Sequence, residues 1–191
     1  MKSIGVLALQ GDYARHEALL NSIGVKTLQI RKPEQLEKCS GLILPGGEST
    51  TLTKLMDKYG FFGPLRDFAK QRPVMGTCAG LIMLSSKVDD PRVSPLGLIP
   101  MTAERNAYGR QIDSFAAPLH LSFLEGGSFR GVFIRAPKIA AVDSAVEVLA
   151  VWEDSPIMVR YGNAVALSFH PELTDDSRVH RYFLESFSIG G

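Results

Sequence analysis

The chain has 191 residues, of which 45% are hydrophobic and 21% are charged, and its formal net charge is +1. This length and composition allow one sizeable hydrophobic core, so we expect a single domain over residues 1–191. A net charge so close to zero gives no broad electrostatic attraction to nucleic acid or to an anionic membrane. The chain starts with a strand-like segment and contains no apolar run of membrane-spanning length, which predicts a cytoplasmic protein.

In the first part of the chain, apolar strand patterns alternate with helical patterns. The strands are predicted at residues 4–9, 25–30, 42–44 and 74–77, and the helices at residues 13–22, 50–59 and 64–70. In the first helix, Ala14, Ala18 and Leu19 are expected to face inward. His16 is expected to be a polar helix-face residue or a contact residue. This alternation predicts an α/β fold: a three-layer, flavodoxin-like mixed sheet with helices on both faces.

Beyond residue 88 the strand candidates become shorter and are separated by Gly, Pro and Asp. They fall at residues 97–103, 117–123, 131–134, 146–152, 157–161 and 164–168, and they suggest added or antiparallel sheet. A last helix is predicted at residues 177–188. Its apolar stripe of Val179, Tyr182, Phe183 and Phe187 is expected to pack on the core.

A cysteine lies where one of these strands meets a helix, in Val-Met-Gly-Thr-Cys-Ala-Gly at residues 74–80. A nucleophile on a tight strand-to-helix turn needs small neighbours, and Gly76 and Gly80 provide them. At a helix N-terminus, free N–H groups and the helix dipole favour the thiolate. Cys78 is therefore a candidate nucleophile, although a cysteine in this pattern can also be a small buried core residue.

A candidate base and its orienting carboxylate occur together near the end of the chain, in Ala-Leu-Ser-Phe-His-Pro-Glu at residues 166–172. In an extended segment, His170 and Glu172 would project to the same side. The histidine would take the thiol proton and return it to the leaving group, while the glutamate fixes its tautomer. A capped turn is the alternative for this segment alone, but its occurrence with the cysteine turn favours a Cys78–His170–Glu172 triad.

A third strand ends in glycines, in Leu-Ile-Leu-Pro-Gly-Gly-Glu-Ser-Thr at residues 42–50. Such a loop can turn peptide N–H groups into a cleft, so the N–H groups of Gly47 and Ala79 are candidates for an oxyanion hole. The segment is also compatible with an ordinary helix start in which Ser49 or Thr50 caps the helix.

Five segments carry a resemblance to a known family. They are Gly-Val-Leu-Ala-Leu-Gln-Gly-Asp (5–12), Leu-Pro-Gly-Gly-Glu-Ser-Thr-Thr (44–51), Arg-Asn-Ala-Tyr-Gly-Arg-Gln (105–111), Phe-Ile-Arg-Ala-Pro (133–137) and Ser-Phe-His-Pro-Glu-Leu-Thr (168–174). With the Gly-x-Cys-x-Gly turn, they make the chain resemble the class I, or triad-type, glutamine amidotransferases. More narrowly, it resembles the glutaminase subunits of pyridoxal phosphate synthases.

The resemblance implies hydrolysis of L-glutamine to L-glutamate and ammonia through a thioester on the cysteine. The ammonia would pass to a TIM-barrel synthase that makes pyridoxal 5'-phosphate. The substrate-binding residues that it implies are Gly46, Gly47, Glu48, Arg105, Ile134 and Arg135. A glutamate can meet the substrate ammonium, and an arginine can meet its carboxylate through paired hydrogen bonds.

The resemblance also places Gln10, Arg110 and Gln111 near the face that docks on the synthase. Pyridoxal phosphate would be the product of the complex, so no cofactor is expected for this chain. No Cys/His cluster suggests zinc, and no metal is expected.

Two other classes of protein remain open. One is a cysteine-elbow hydrolase of the protease or deglycase type, although those enzymes usually have a histidine directly after the nucleophile, where this chain has Ala79. The other is a regulatory partner that keeps the fold without turnover, against which the intact triad argues.

Overall fold

The computed structural model describes residues 3–105 and 114–189, and Arg110 and Gln111 lie outside these ranges. The strands are β1 (Ser3–Leu7), β2 (Thr27–Ile30), β3 (Cys39–Leu44), β4 (Val74–Thr77), β5 (Ser85–Val88), β6 (Ile99–Glu104), β7 (Ser114–Leu119), β8 (Phe129–Ile134), β9 (Lys138–Val142), β10 (Glu147–Trp152), β11 (Ser155–Tyr161) and β12 (Ala164–Leu167). The helices are α1 (Tyr13–Ser22), α2 (Ser49–Lys58), α3 (Phe62–Gln71), α4 (Ala79–Leu84) and α5 (Arg178–Ser186). Two short 3-10 helices cover Pro33–Lys38 and Pro171–Leu173.

The largest sheet of the described residues has seven strands in the order β10-β11-β12-β4-β3-β1-β2. Its five strands from β12 to β2 are parallel to one another, and β10 and β11 extend the sheet in antiparallel fashion. Two smaller sheets accompany it, β5-β6-β9 and the β7-β8 hairpin. The prediction of a mixed α/β sheet with added antiparallel strands is confirmed.

Alternating strand residues divide the core into two layers, one on each face of the large sheet. In β3, for example, Leu42 and Leu44 belong to one buried cluster and Ile43 to the other. The first cluster contains the apolar residues of α2, α3 and α4, and the second contains those of α1 and α5. Because strand side chains alternate between faces, this pattern puts helices on both sides of the sheet, in three layers.

The sheet topology determines where a site can form. Strand order reverses between β1 and β3, and in open parallel sheets such a switch leaves a crevice beyond the carboxyl ends of the strands. The loops that follow β1, β3, β4 and β12 all leave from that end. They carry Gln10 to Asp12, Gly46 to Glu48, Cys78 and His170, so chain segments far apart in sequence meet there.

The inward face of α1 differs from the prediction. His16 and Leu20 are buried, whereas Ala14 and Ala18 are exposed and Leu19 is half-buried. The helix is therefore rotated relative to the apolar stripe read from the sequence, because His16 has hydrogen-bond partners in the core and its burial carries no large desolvation cost.

Two strands were not predicted. The sequences of β5, Ser-Ser-Lys-Val, and β9, Lys-Ile-Ala-Ala-Val, have weak strand propensity, and both pair with β6. Within residues 3–105 and 114–189, no helix is long and apolar enough to cross a lipid bilayer.

Candidate active site

Cys78 lies on a sharp turn between β4 and α4. Its backbone has φ of 50° and ψ of −104°, a left-handed conformation that costs a non-glycine residue energy and recurs at functional sites. The turn closes only because its flanks are glycine: a Cβ at Gly76 would lie 2.5 Å from the carbonyl oxygen of Gly80, and a Cβ at Gly80 would overlap the backbone of Leu44. Cys78 is 7% exposed, and its sulfur lies 3.9 Å from the carbonyl oxygen of Ile134.

His170 and Glu172 form a buried pair beside this cysteine. The distance from His170 Nδ1 to Glu172 Oε1 is 2.7 Å, and because a carboxylate only accepts, Nδ1–H is the donor. The pairing was predicted from an extended segment. Instead, β12 ends at Leu167, His170 is the N-cap of the 3-10 helix Pro171–Leu173, and Glu172 lies within that helix, so a tight turn brings the two side chains together.

The environment of His170 favours its protonated form. Burial alone would lower the pKa of this imidazole, but the neighbouring Cys78 thiol, the hydrogen bond with Glu172 and the charges of both groups raise it to about 10. Nδ1 is used by Glu172, and Nε2 is buried without a hydrogen bond in the described structure. Nε2 is thus the atom available for proton exchange with the thiol and a substrate.

The structure adds two buried histidines that the sequence did not connect to the site. His16 Nε2 lies 3.4 Å from Glu172 Oε2, and His16 Nδ1 lies 2.9 Å from His180 Nε2. Both rings are fully buried. Of the two roles expected for His16, the polar helix face is wrong and the contact residue is what the structure shows. No spacing in the sequence signals its partners, because α1 and α5 meet only through the fold.

The glycine loop after β3 packs tightly against the triad and the loop after β1. A Cβ at Gly46 would overlap the His170 ring, and one at Gly47 would overlap the amide of Gln10. The N–H of Asp12 donates to the carbonyl of Gly46 at 3.3 Å, and Gln10 Oε1 accepts from the N–H of Glu48 at 3.1 Å. Glycine is required at both loop positions because the neighbouring atoms fill the space of a side chain.

Glu48 has two structural roles. It is the N-cap of α2, accepting the N–H groups of Thr50 at 3.1 Å and Thr51 at 2.7 Å, so the prediction of Ser49 or Thr50 as the cap is wrong. It also pairs with Arg105, whose Nη2 lies 2.9 Å from its Oε1. Burial opposes ionisation, but the hydrogen bonds from the two threonines lower the pKa of Glu48 to about 2, so it is a carboxylate at neutral pH.

Arg105 is held from a second side by Asp90, to which its Nη1 donates. Its side chain is only 17% exposed, and its backbone N–H donates to Asp89 Oδ1 at 3.0 Å. From the family resemblance, Arg105 and Glu48 were expected to bind substrate, each on its own. In the structure, they form an ion pair at the rim of one cavity.

Most of the predicted site residues line one cavity of about 290 Å³. Its lining comprises Asp12, Gly47, Glu48, Ser49, Cys78, Ala79, Ile82, Arg105, Ile134, Arg135 and His170. Arg135 has a positive φ of 41°, which marks a second strained backbone position at this cavity. Gly46 lies just behind the wall, against His170, and Glu172 is buried further in. The residues predicted for the site thus lie in the wall of this cavity or directly behind it.

One group of donors has spacing compatible with a metal. Single donor atoms of Asp12, His170 and Glu172 lie within 4.8 Å of one another among the described residues. His170 Nδ1 and Glu172 Oε1 are, however, committed to each other at 2.7 Å. Asp12 lies at the cavity wall and lines the cavity with His170.

The fold and this cavity define an α/β protein with a strand–cysteine–helix turn beside a histidine and a carboxylate. Comparison with known proteins agrees with that class. The family model described as the SNO glutamine amidotransferase family matches residues 6–189. The chain therefore belongs to the SNO glutamine amidotransferase family.

Individual relatives are similar over nearly their whole length. The chain is 48% identical to the pyridoxal 5'-phosphate synthase subunit PdxT of Desulforudis audaxviator, covering 97% of this chain and 98% of the relative. It is 49% identical to the subunit of that name from Halalkalibacterium halodurans, covering 97% and 94%. A solved crystal structure of a glutamine amidotransferase superposes with a TM-score of 0.92 at 46% identity, covering 97% of this chain and 98% of the other.

Proposed function

We propose that this chain is the glutaminase subunit of a pyridoxal 5'-phosphate synthase. It hydrolyses L-glutamine to L-glutamate and ammonia and delivers the ammonia to a TIM-barrel synthase subunit. The observation that carries the proposal is the single cavity in which the Cys78 thiol and His170 face a charge pair, Glu48 and Arg105. A thiol beside a base can attack the carbonyl carbon of an amide. A carboxylate paired with a guanidinium can bind the ammonium and the carboxylate of an α-amino acid.

The first half of the reaction forms a thioester. The Cys78 thiolate attacks the side-chain carbonyl carbon of glutamine, and the carbonyl π electrons move to oxygen. The N–H groups of Gly47 and Ala79 are the proposed donors to this oxyanion. Protonated His170 gives its Nε2 proton to the amide nitrogen, the C–N bond breaks, and ammonia leaves with that electron pair.

The second half regenerates the enzyme. His170, now neutral, takes a proton from water, whose oxygen attacks the thioester carbon. Collapse of the second tetrahedral intermediate breaks the C–S bond and releases glutamate and the Cys78 thiolate beside protonated His170. Glu172 remains a carboxylate and holds Nδ1–H throughout.

Binding of glutamine would use the ends of the cavity. Its ammonium would lie at Glu48, and its carboxylate at Arg105. Ile134 and Arg135 would line the path of the side chain towards the sulfur, consistent with the 3.9 Å contact from Cys78 to the Ile134 carbonyl.

We further propose that the synthase controls this activity through the glycine loop. The Gly46 carbonyl is held by the Asp12 N–H at 3.3 Å, a long hydrogen bond that costs little to break. A peptide between two glycines can rotate with small steric cost, and a docked partner can select the orientation that presents the Gly47 N–H to the oxyanion. Loss of one oxyanion donor lowers turnover by about 100-fold to 1000-fold.

Glutamate release from glutamine should be measured for the chain alone, for the chain saturated with synthase, and for a Cys78→Ala variant in the same complex. We expect activity in the wild-type complex, little activity in the free chain and none in the variant. Equal turnover of the free and complexed wild-type chain would refute control by the partner. Activity of the Cys78→Ala complex would refute the mechanism.

The same assay addresses the alternatives. A protease or deglycase would act on peptide or glycated substrates and leave glutamine unchanged. A regulatory partner without turnover would release no glutamate in any sample.

A further inference from the structure

A chain of four buried side chains extends inward from the active site. His170 Nδ1 is hydrogen-bonded to Glu172 Oε1 at 2.7 Å, and His16 Nδ1 to His180 Nε2 at 2.9 Å. Between these two pairs, Glu172 Oε2 is buried without a hydrogen-bond partner, and His16 Nε2 lies 3.4 Å from it. His16, His180 and the Glu172 side chain are all fully buried. Buried polar groups are normally hydrogen-bonded, and the nearest partners of these groups lie within the chain.

The charge of each group and the tautomer of each imidazole ring determine which nitrogen atoms carry a proton. Burial holds the pKa of His16 below its ordinary value and lowers the pKa of His180 to about 3, so both rings are neutral and each carries one N–H. A neutral His16 with its proton on Nδ1 would turn the Nε2 lone pair towards the Glu172 carboxylate, which is repulsive. With its proton on Nε2, the same ring donates towards Glu172 and accepts at Nδ1.

The rest of the cluster fits this assignment. His16 Nδ1 then accepts from His180 Nε2–H, which leaves His180 Nδ1 without a proton. His180 Nδ1 has no hydrogen-bond partner in the structure. Because this nitrogen carries no proton in the assigned tautomer, no N–H group is left unsatisfied. In the structure, His16 Nε2 is hydrogen-bonded to Thr77 Oγ1 at 3.3 Å, and the unsatisfied Glu172 Oε2 at 3.4 Å is the second acceptor within reach of the same N–H. The Nε2–H of His16 then has two acceptors within 3.4 Å, Thr77 and Glu172.

We infer that His16 is a positioning residue for the triad: its Nε2–H holds the second oxygen of Glu172, and His180 fixes the tautomer in which His16 can do so. This inference rests on the proposed roles of Glu172 and His170. A carboxylate held at one oxygen alone can rotate about its last bond and move the oxygen that orients His170. Held at both oxygens, it keeps the imidazole aligned for proton transfer.

The charged and titratable groups around Glu172 come from several elements. His170 lies beside it in sequence, His16 on α1, Asp12 on the loop before α1, and Cys78 on the turn after β4. His16 is absent from the cavity lining, so its replacement should leave substrate contacts intact.

Two substitutions of His16 separate its two nitrogens. In His16→Gln the side-chain amide reaches the position of Nε2 and can donate to Glu172. In His16→Asn the shorter amide matches Nδ1, so it keeps the contact with His180 and falls short of Glu172. Both are smaller than histidine and polar, which makes them a matched pair. His120→Gln removes an exposed histidine outside the cavity and is the control.

The kinetic experiment compares these variants as complexes with the synthase. We expect His16→Asn to lower kcat about 10-fold to 100-fold, the usual effect of losing a hydrogen bond to a charged group that supports a reacting one, with KM changed less than about twofold. His16→Gln should stay within about threefold of wild type. Equal activity of the two variants, whether both normal or both impaired, would overturn the inference, as would a greater loss in His16→Gln.

A spectroscopic experiment reads the proton positions without any substrate. In long-range 1H–15N NMR spectra of the labelled chain at neutral pH, His16 and His180 should both show the neutral Nε2–H tautomer. His16 with its proton on Nδ1, or doubly protonated, would overturn the assignment. Because this measurement needs no glutamine, a failure of the proposed glutaminase function is distinguished from a failure of the positioning role.

Discussion

Replacement of Glu48 should affect stability and substrate binding by separable amounts. In the structure, its carboxylate caps α2 through Thr50 and Thr51 and pairs with Arg105 at 2.9 Å. Replacing a capping side chain by alanine costs about 1 kcal/mol, and the partly exposed ion pair, whose Glu48 side chain is 48% exposed, adds less than about 1 kcal/mol. Glu48→Ala should therefore lose about 1–2 kcal/mol of unfolding free energy, or about 2–8 °C in Tm for a chain of this size.

The effect on glutamine has a different origin. An ammonium at Glu48 would form a charge-assisted hydrogen bond worth about 1.5–3 kcal/mol. Glu48 is half-exposed and already shared with Arg105, so we expect the lower end of this range, a rise in KM of about 10-fold. Glu48→Asn tests this separately, because asparagine is a good N-cap without a charge. It should keep the unfolding free energy within about 0.5 kcal/mol of wild type and raise KM as much as alanine does.

The assay is glutamate release by the complex with synthase, beside thermal unfolding of each free variant. Glutaramate, which is glutamine without its α-amino group, serves as the matched substrate, and its kcat/KM should not respond to either substitution. A wild-type KM for glutamine in Glu48→Asn would refute the contact with the ammonium. An unchanged Tm in Glu48→Ala would refute the cap.

Three further outcomes are expected. A glutamine analogue that carries an electrophile should modify Cys78 and leave Cys39 unmodified. Cys39 is fully buried, and this burial raises the pKa of its thiol to about 11. Labelling of Cys39 alone, measured by mass spectrometry, would contradict the choice of nucleophile. Gly46→Ala should lower kcat by at least about 100-fold because its Cβ displaces the His170 ring, whereas Gly63→Ala, where a Cβ meets open space, should have wild-type kcat. The raised pKa of His170 predicts that activity falls on the alkaline side only above about pH 8, and a fall near the ordinary value of 6.5 would contradict it. The corresponding stabilisation is complete below 6.5 and is lost as pH rises towards about 10, which unfolding measurements across that range would detect.

The sequence by itself determined the parts of this protein that depend on local chemistry. A left-handed turn at Cys78 requires glycine on both flanks, and the flavodoxin-like sheet follows from alternating apolar strands and amphipathic helices. The strands that escaped prediction, β5 and β9, have little intrinsic preference for extended structure. They form because β6 lies beside them.

Only the tertiary structure decided which groups meet across the site. His16 and His180 are 164 residues apart, and their contact depends on the rotation of α1 and its packing near α5 on one face of the sheet. The pairing of Glu48 with Arg105 likewise joins separate loops. The periodicity of the apolar side chains predicted that a different face of α1 would be buried. The face with His16 is buried instead, because a polar group can enter a core where hydrogen-bond partners satisfy it. Those partners come from distant parts of the chain, so the sequence pattern of α1 does not show them.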